Sequence, residues 1–327
     1  MHVRRCWRRF RPLDGRMAVL LFGLLLGGCT TPGTADAAPA RGDAAIAALA
    51  EAATNGDAES QYALALRYLR GEGLPRDPRR ALDWFRRAAA QGHAAAQRQL
   101  GNAHARGAAG LAQSWSEAAG WYRRAAENGD MLAAFNLARL LERGRGVERD
   151  AAEAVRWYRK AADAGLAKAQ TNLGILLYRG DGAPRDLEAA LDLFLKAARQ
   201  GDAIGAYNAG VMVEKGRGTE ADPERALLLY RRAAELDYRD AQWALGRLIA
   251  RLARTPGEHA AALFWFEVAT RRGGRPPAAA DGERIARLRS RLSVAEQEAV
   301  RRRALGWRPS GEAPAAQSPS PAPGSPI

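Results

Sequence analysis

Few side chains in this chain have the type and spacing that chemistry requires. Histidine occurs at positions 2, 93, 104 and 259, and cysteine only at 6 and 29. No Gly-Lys pair exists to cradle a phosphate, and no serine is followed by lysine three residues on. Gly-x-Ser-x-Gly and His-Glu-x-x-His are absent as well, which removes the common signatures of an activated serine or a catalytic zinc. The sequence predicts no enzymatic activity, no metal site and no cofactor. One cysteine stands in a distinctive setting: Cys29, preceded by Leu26-Gly27-Gly28.

The segment before Cys29 gives that setting its meaning. Residues 1–16 carry six arginines (Arg4, Arg5, Arg8, Arg9, Arg11, Arg16) against Asp14, and ten apolar residues follow from Met17 to Leu26. Ten is half of the ~20 residues needed to span a bilayer, so residues 1–28 read as a signal peptide. Leu26-Gly27-Gly28-Cys29 resembles the lipobox of bacterial lipoproteins, in which small residues admit the peptidase to the bond before a diacylglyceryl-modified cysteine. The expected location is the bacterial cell envelope, as an outer membrane lipoprotein facing the periplasm. The resemblance favours the outer membrane because Thr30 is not the aspartate that retains lipoproteins at the inner one. The alternative is a soluble periplasmic or secreted protein. Removing the leader takes the formal charge from +14 to about +9. An exported chain does not meet the genome, so the basic excess points to anionic envelope components and no nucleic acid partner is expected.

The elements that must position everything else announce themselves by repetition. Glycines at 56, 92, 129, 165 and 201 recur every 36 residues, with one interval of 37, and Asp237 continues the ladder. Paired alanines keep the same register (Ala88-Ala89, Ala125-Ala126, Ala161-Ala162, Ala197-Ala198, Ala233-Ala234). So do aromatics at Phe85, Tyr122, Tyr158, Phe194, Tyr230 and Phe266. A fixed period of this length is the signature of stacked supersecondary units. Each unit reads as helix A, a Gly-x-Gly turn such as Gly180/Gly182, then helix B capped by Asp77, Asp150, Asp186 or Asp222. Residues 29–42, rich in Thr, Pro, Gly and Ala, read as a flexible tether, and 43–55 as a capping helix with Ile46, Leu49 and Ala53 inward. The repeats fill 56–273. Residues 274–307 read as two C-terminal capping helices whose Leu288, Leu292, Val300, Leu305 and Trp307 cover the stack, with a Ser293/Glu296 capping box between them. The Pro/Ser/Ala-rich tail 308–327 reads as disordered.

The motif of residues 165–200, with Ala169-Gln170, Leu173-Gly174, Gly180-x-Gly182, Leu193-Phe194 and Ala197-Ala198, resembles the Sel1-like repeat, a relative of the tetratricopeptide repeat. The resemblance implies an all-α fold: a right-handed α/α solenoid of about six Sel1-like helix-turn-helix repeats with helical caps. Two units depart from the pattern. The second has Gly107-Ala108-Ala109-Gly110 as its turn, and the sixth has Asp237 at the pivot and Arg254-Thr255-Pro256-Gly257 as its loop, so local irregularity is expected at both. The paired cysteines of cysteine-rich relatives are missing.

In tetratricopeptide-like stacks the A helices line a concave groove, which the resemblance implies for this chain. Six residues past each pivot stand Tyr62, Arg98, Phe135, Thr171, Tyr207 and Trp243. Ten past stand Leu66, Asn102, Arg139, Ile175, Val211 and Arg247. The two rows share a helix face. Tyr62, Arg98, Phe135, Arg139, Thr171, Tyr207, Trp243 and Arg247 are the candidate partner-binding residues, because aromatic and Arg side chains dominate binding energy. The competing reading is that they only pack between A helices. The leading expectation is therefore a lipid-anchored scaffold that binds envelope proteins through this groove. The alternative is a binder of an anionic envelope polymer or peptidoglycan through basic pairs on helix B (Arg86-Arg87, Arg123-Arg124, Arg159-Lys160, Arg231-Arg232).

Overall fold

The computed structural model describes residues 37–271 and 278–309, with side chains from residue 42 onward. The predicted signal peptide, Cys29 and residues 310–327 lie outside the described residues. Among the described residues every regular element is a helix. A single helix, α1 (Ala37–Thr54), precedes six antiparallel pairs. These are α2/α3 (Ala58–Arg70, Pro78–Ala90), α4/α5 (Ala94–Arg106, Trp115–Glu127) and α6/α7 (Met131–Arg143, Ala151–Asp163). They continue as α8/α9 (Ala167–Arg179, Leu187–Arg199), α10/α11 (Ala203–Glu214, Pro223–Glu235) and α12/α13 (Arg239–Leu252, Pro256–Thr270). Two more helices, α14 (Ala279–Ser290) and α15 (Val294–Gly306), follow. From α1 to α13 each helix packs chiefly on its neighbours in sequence, which is the nearest-neighbour contact pattern of a solenoid, and α15 packs back on α13. None of these helices is long and apolar enough to cross a membrane.

Short-range chemistry sets the ends of the helices. Asp77, Asp150, Asp186 and Asp222 each accept backbone N–H groups of the first helical turn, at 2.7 to 3.0 Å. The capping box of Ser293 with Glu296 forms, and a second joins Thr255 to Glu258, so the sixth loop enters α13 in good order despite its atypical sequence. In the second loop Ala109 is forced to φ 58°, and at the sixth pivot Asp237 sits at φ 66°. These are the two irregular units, and both retain their helix pairs.

Between the helices, size decides. The helix B aromatics Phe85, Tyr122, Tyr158, Phe194, Tyr230 and Phe266 are all at most 5% exposed, and the alanine pairs after them let the next A helix approach closely. Buried glutamines stitch successive units together. Gln61, Gln97, Gln170 and Gln242 donate to the carbonyls of Ala53, Ala89, Ala162 and Ala234, adding a second donor to acceptors at helix C-termini that already take the pivot N–H.

The caps differ from expectation in two places. Helix α1 starts at Ala37 instead of Asp43, shortening the expected tether; Pro39 falls in the first turn, where the helix has no use for the missing N–H. At the other end Leu288, Leu292 and Val300 are buried and Trp307 meets Trp265 edge-on at 5.9 Å. Leu305 is 55% exposed, because α15 faces the stack with Val300 and Ala304, and the next residue is turned 100° away.

One buried group lacks a partner. Asn208 is fully buried, and neither Nδ2 nor Oδ1 meets a hydrogen-bonding atom among the described residues. One unit earlier, Asn172 donates to the Tyr158 hydroxyl at 2.9 Å. The helix B residue that should serve Asn208 is Phe194, which has no hydroxyl. Phe194→Tyr is therefore expected to stabilise the protein by about 1 kcal/mol, the usual worth of a buried hydrogen bond. A thermal melt checks this, and an unchanged or lower Tm would count against the pairing.

Candidate functional site

The A helices expose one stripe each, and the candidate residues sit at its edge. Tyr62, Phe135, Tyr207 and Trp243 do not stand free. Each ring lies against the helix B aromatic of its own unit: Phe85, Tyr158 and Tyr230 at 5.8 Å, and Phe266 at 5.5 Å. Tyr62 also stacks on His93 at 4.6 Å, and Tyr207 meets Tyr238 at 5.3 Å. Trp243 is 8% exposed, while the other three rings are half-buried. The contacts with Phe85, Tyr158, Tyr230 and Phe266 lie within a repeat, from A to B, and those with His93 and Tyr238 reach the N-cap of the next A helix.

The polar members of the same row join one unit to the next. Arg98 donates to Asp130 at 2.7 Å, and the Thr171 hydroxyl donates to Asp202 at 2.9 Å; both acceptors cap the following A helix. Arg247 makes a two-armed contact with Asp281 of α14, at 2.9 and 2.6 Å. Arg139 is half-buried with its guanidinium 5.6 Å from the Phe135 ring centre, and burial pulls its pKa below the ordinary value. The candidate row is thus largely wired into the stack. Its half-exposed rings and the neighbouring Leu66, Asn102 and Ile175 are what it offers to solvent.

Buried hydroxyls under this face hold their protons. Desolvation raises the Tyr122 pKa to about 12, and burial raises Tyr158 and Tyr230 as well, reinforced by Glu142 and Glu214 respectively. They act as hydrogen-bond donors, to Asn102, Glu142 and Glu214 respectively.

Several members of the basic pairs on helix B are engaged too. Arg87, Arg124 and Lys160 lie 4.4, 4.8 and 4.2 Å from the ring centres of Trp84, Trp121 and Trp157. Arg123 forms a bidentate pair with Glu153, whose pKa it lowers, and Arg232 donates to the Arg199 carbonyl. Histidines stay apart. His93 caps α4 through Nδ1, His259 is buried against Arg291, and His104 is half-buried where Leu141 and Leu177 stand in other units. No group of three or more metal-ligating side chains comes together among the described residues.

A further row is legible in the sequence, fourteen residues past each pivot: Arg70, Arg106, Arg143, Arg179, Lys215 and Arg251. All six are solvent-exposed at the C-terminal end of their A helix. The signal is six basic residues in six units at one phase, one turn beyond the row at +10.

Fold and surface together define a repeat scaffold of antiparallel helix pairs with a long, mixed apolar and basic face. The Sel1 repeat profile matches six times, at residues 58–93, 94–130, 132–166, 167–202, 203–238 and 239–274, and the chain belongs to the Sel1 repeat family. Among solved structures it is similar to a protective antigen of uropathogenic Escherichia coli displaying an SLR fold, at 29% identity and TM-score 0.70. That match covers 80% of this chain and 56% of the antigen, so this chain spans little more than half the length of that relative. It is also similar to a Sel1 repeat protein from Oxalobacter formigenes, at 27% identity and TM-score 0.58, over 68% of this chain and 88% of that one. No curated protein matches the sequence. Proteins built from Sel1 repeats generally mediate protein–protein interaction, and the fold is generally non-enzymatic.

Proposed function

We propose that this protein is a lipid-anchored, periplasm-facing scaffold that organises an envelope complex by binding partner proteins along its A helices. One observation carries the reading. Within a frame whose glycines, alanines and core aromatics repeat, the outward A-helix positions change type from unit to unit (Leu66, Asn102, Arg139, Ile175). A surface that varies over a constant scaffold suits recognition of a particular partner. Within the basic pairs of helix B, Arg87, Arg124 and Lys160 are held by tryptophans and Arg123 by Glu153, which favours the A-helix face over the polymer-binding alternative. The anchor rests on Leu26-Gly27-Gly28-Cys29.

A photo-crosslinking amino acid at Ile175, on the A-helix stripe, should yield discrete adducts in intact cells, and one at the exposed helix B residue Asp192 should not. Adducts from Asp192 alone would overturn the assignment of the face. Cys29→Ala should move the protein from the membrane fraction to the soluble fraction, and retention in the membrane would rule out lipidation as the anchor.

A further inference from the structure

Two features of the A-helix face point to the chemistry of the partner. The first is the basic column Arg70, Arg106, Arg143, Arg179, Lys215 and Arg251. A cation at a helix C-terminus complements the macrodipole, which accounts for each residue locally. Their common phase adds a property none has alone. The residues at +10 and +14 lie about 40° apart on the helix, so the six charges edge the same stripe as the row at +10. Packed helices lie 8–10 Å apart, and successive A helices on the order of 10 Å, while an extended chain in the polyproline II conformation advances about 3.1 Å per residue with three residues per turn. A ligand segment in this conformation with an acidic residue at every third position presents its carboxylates on one face at about 9 Å intervals and matches the column, and arginine is suited to carboxylate geometry.

The second feature is a hollow of about 90 Å³ between α3 and α4. Leu69, Leu82, Phe85, Ala103 and Ala109 line it, with Arg106 of the basic column at its rim. Its origin is a single small residue. Ala103 occupies the position held in later units by Leu140, Leu176, Met212 and Leu248, which are 6, 1, 0 and 1% exposed. The buried residues of the first unit, with Ala96 and Leu100 of α4, form a cluster separate from the long central one, which takes in Ala105. Protein interiors leave few such voids. This one opens beside a row of charges and is the size of one branched aliphatic side chain.

We propose that the A-helix face binds an extended acidic segment of a partner protein, with carboxylates along the basic column and one aliphatic side chain seated in the hollow beside Ala103. The proposal rests on the A helices being the binding face. It favours a polypeptide over an acidic polysaccharide, because a uronic acid polymer has no aliphatic side chain to place in the hollow.

The test uses the detergent-solubilised full chain and fluorescence anisotropy. The probe is a fluorescein-labelled peptide with glutamate at every third position and one central leucine. Two control peptides carry glutamine in place of the leucine or of the glutamates, and alginate serves as the polymer. Ala103→Leu fills the hollow with the residue that later units use, so its Tm should hold or rise. Binding should weaken about tenfold or more both in this variant and with the leucine-free peptide, the usual discrimination of an apolar pocket. Arg143→Glu/Arg179→Glu should weaken it as well. The proposal is overturned if the glutamate peptide fails to bind, if Ala103→Leu binds it as well as wild type, or if alginate binds and the peptide does not. Should the Ile175 crosslink persist in cells while any of these occurs, the face is still the binding surface and only the acidic-segment chemistry fails. Loss of that crosslink in the wild type removes the face itself.

Discussion

Gly182→Ala is expected to destabilise the central repeats by about 3–5 kcal/mol, whereas Gly165→Ala, seventeen residues earlier, should cost only about 1. Both glycines have positive φ, +77° and +88°. An alanine pays the left-handed penalty at either site, roughly 1–2 kcal/mol. The difference lies in what the new methyl group meets. At Gly165 nothing lies within 4 Å. At Gly182 the Cβ would stand 2.2 Å from the Ala151 carbonyl oxygen and 2.8 Å from the Ala152 nitrogen. These are backbone atoms at the start of α7, so no rotamer change relieves the clash, and the loop of one unit must lift off the unit before it. Solenoid stability is a sum of unit and nearest-neighbour terms, so the damage should be local. Native-state hydrogen exchange should show lost protection in α7 and α8 with α12 and α13 little changed. Equal stabilities of the two variants in urea melts would mean that the Gly182 contact contributes nothing. The sixth pivot already supports the milder half of this expectation: Asp237 occupies the position with φ 66°, and its repeat is intact.

The second large effect is expected at the C-terminal cap. The Asp281 side chain is 3% exposed and is held by Arg247 and Arg284, with Arg284 at 2.9 Å. Asp281→Ala would leave both cations facing an apolar seam. Removing one partner of a fully buried pair costs 3–5 kcal/mol. Here the guanidinium side chains are 48% and 35% exposed, so solvent screens part of the loss and about 2 kcal/mol is expected. The effect carries a pH signature. The hydrogen bond from Arg247 holds the Asp281 pKa below its ordinary value, so the folded state binds the proton more weakly than the unfolded chain. Its stabilisation is therefore complete above the unfolded pKa of about 3.9 and fades as pH falls through the lower folded value. The stability gap between wild type and Asp281→Asn should be constant at neutral pH and shrink below about pH 4. A gap that persists unchanged into strong acid would show that Asp281 is not charged in the fold. Trp265 and Trp307, in edge-on contact at this cap, supply the fluorescence signal.

Arg247 shows why the candidate surface was harder to read than the fold. Its position past the pivot places it on the outward face of α12, and that inference holds: its side chain is half exposed. The sequence gives no hint that Asp281, 34 residues on and in a different kind of helix, reaches back to hold it. The same applies to Thr171 and Asp202, and to Tyr207 and Tyr230. Helical phase tells which way a side chain leaves its helix. It does not tell which neighbour is waiting there.

The sequence by itself determined the repeat, its period, the helix caps and the core, because each depends on residues close in the chain or repeated in register. An aspartate before a helix caps it wherever the helix goes, and an aromatic at one phase of every unit is buried in all of them. Only the tertiary structure decided what the outward positions do. The aromatic row leans on helix B, Arg98 and Arg247 join neighbouring elements, Asn208 is stranded by a phenylalanine, and Ala103 leaves space where later units are filled. Each of these depends on a partner in a neighbouring helix, and a single missing hydroxyl or methyl group changes the outcome without disturbing the pattern that makes the fold legible.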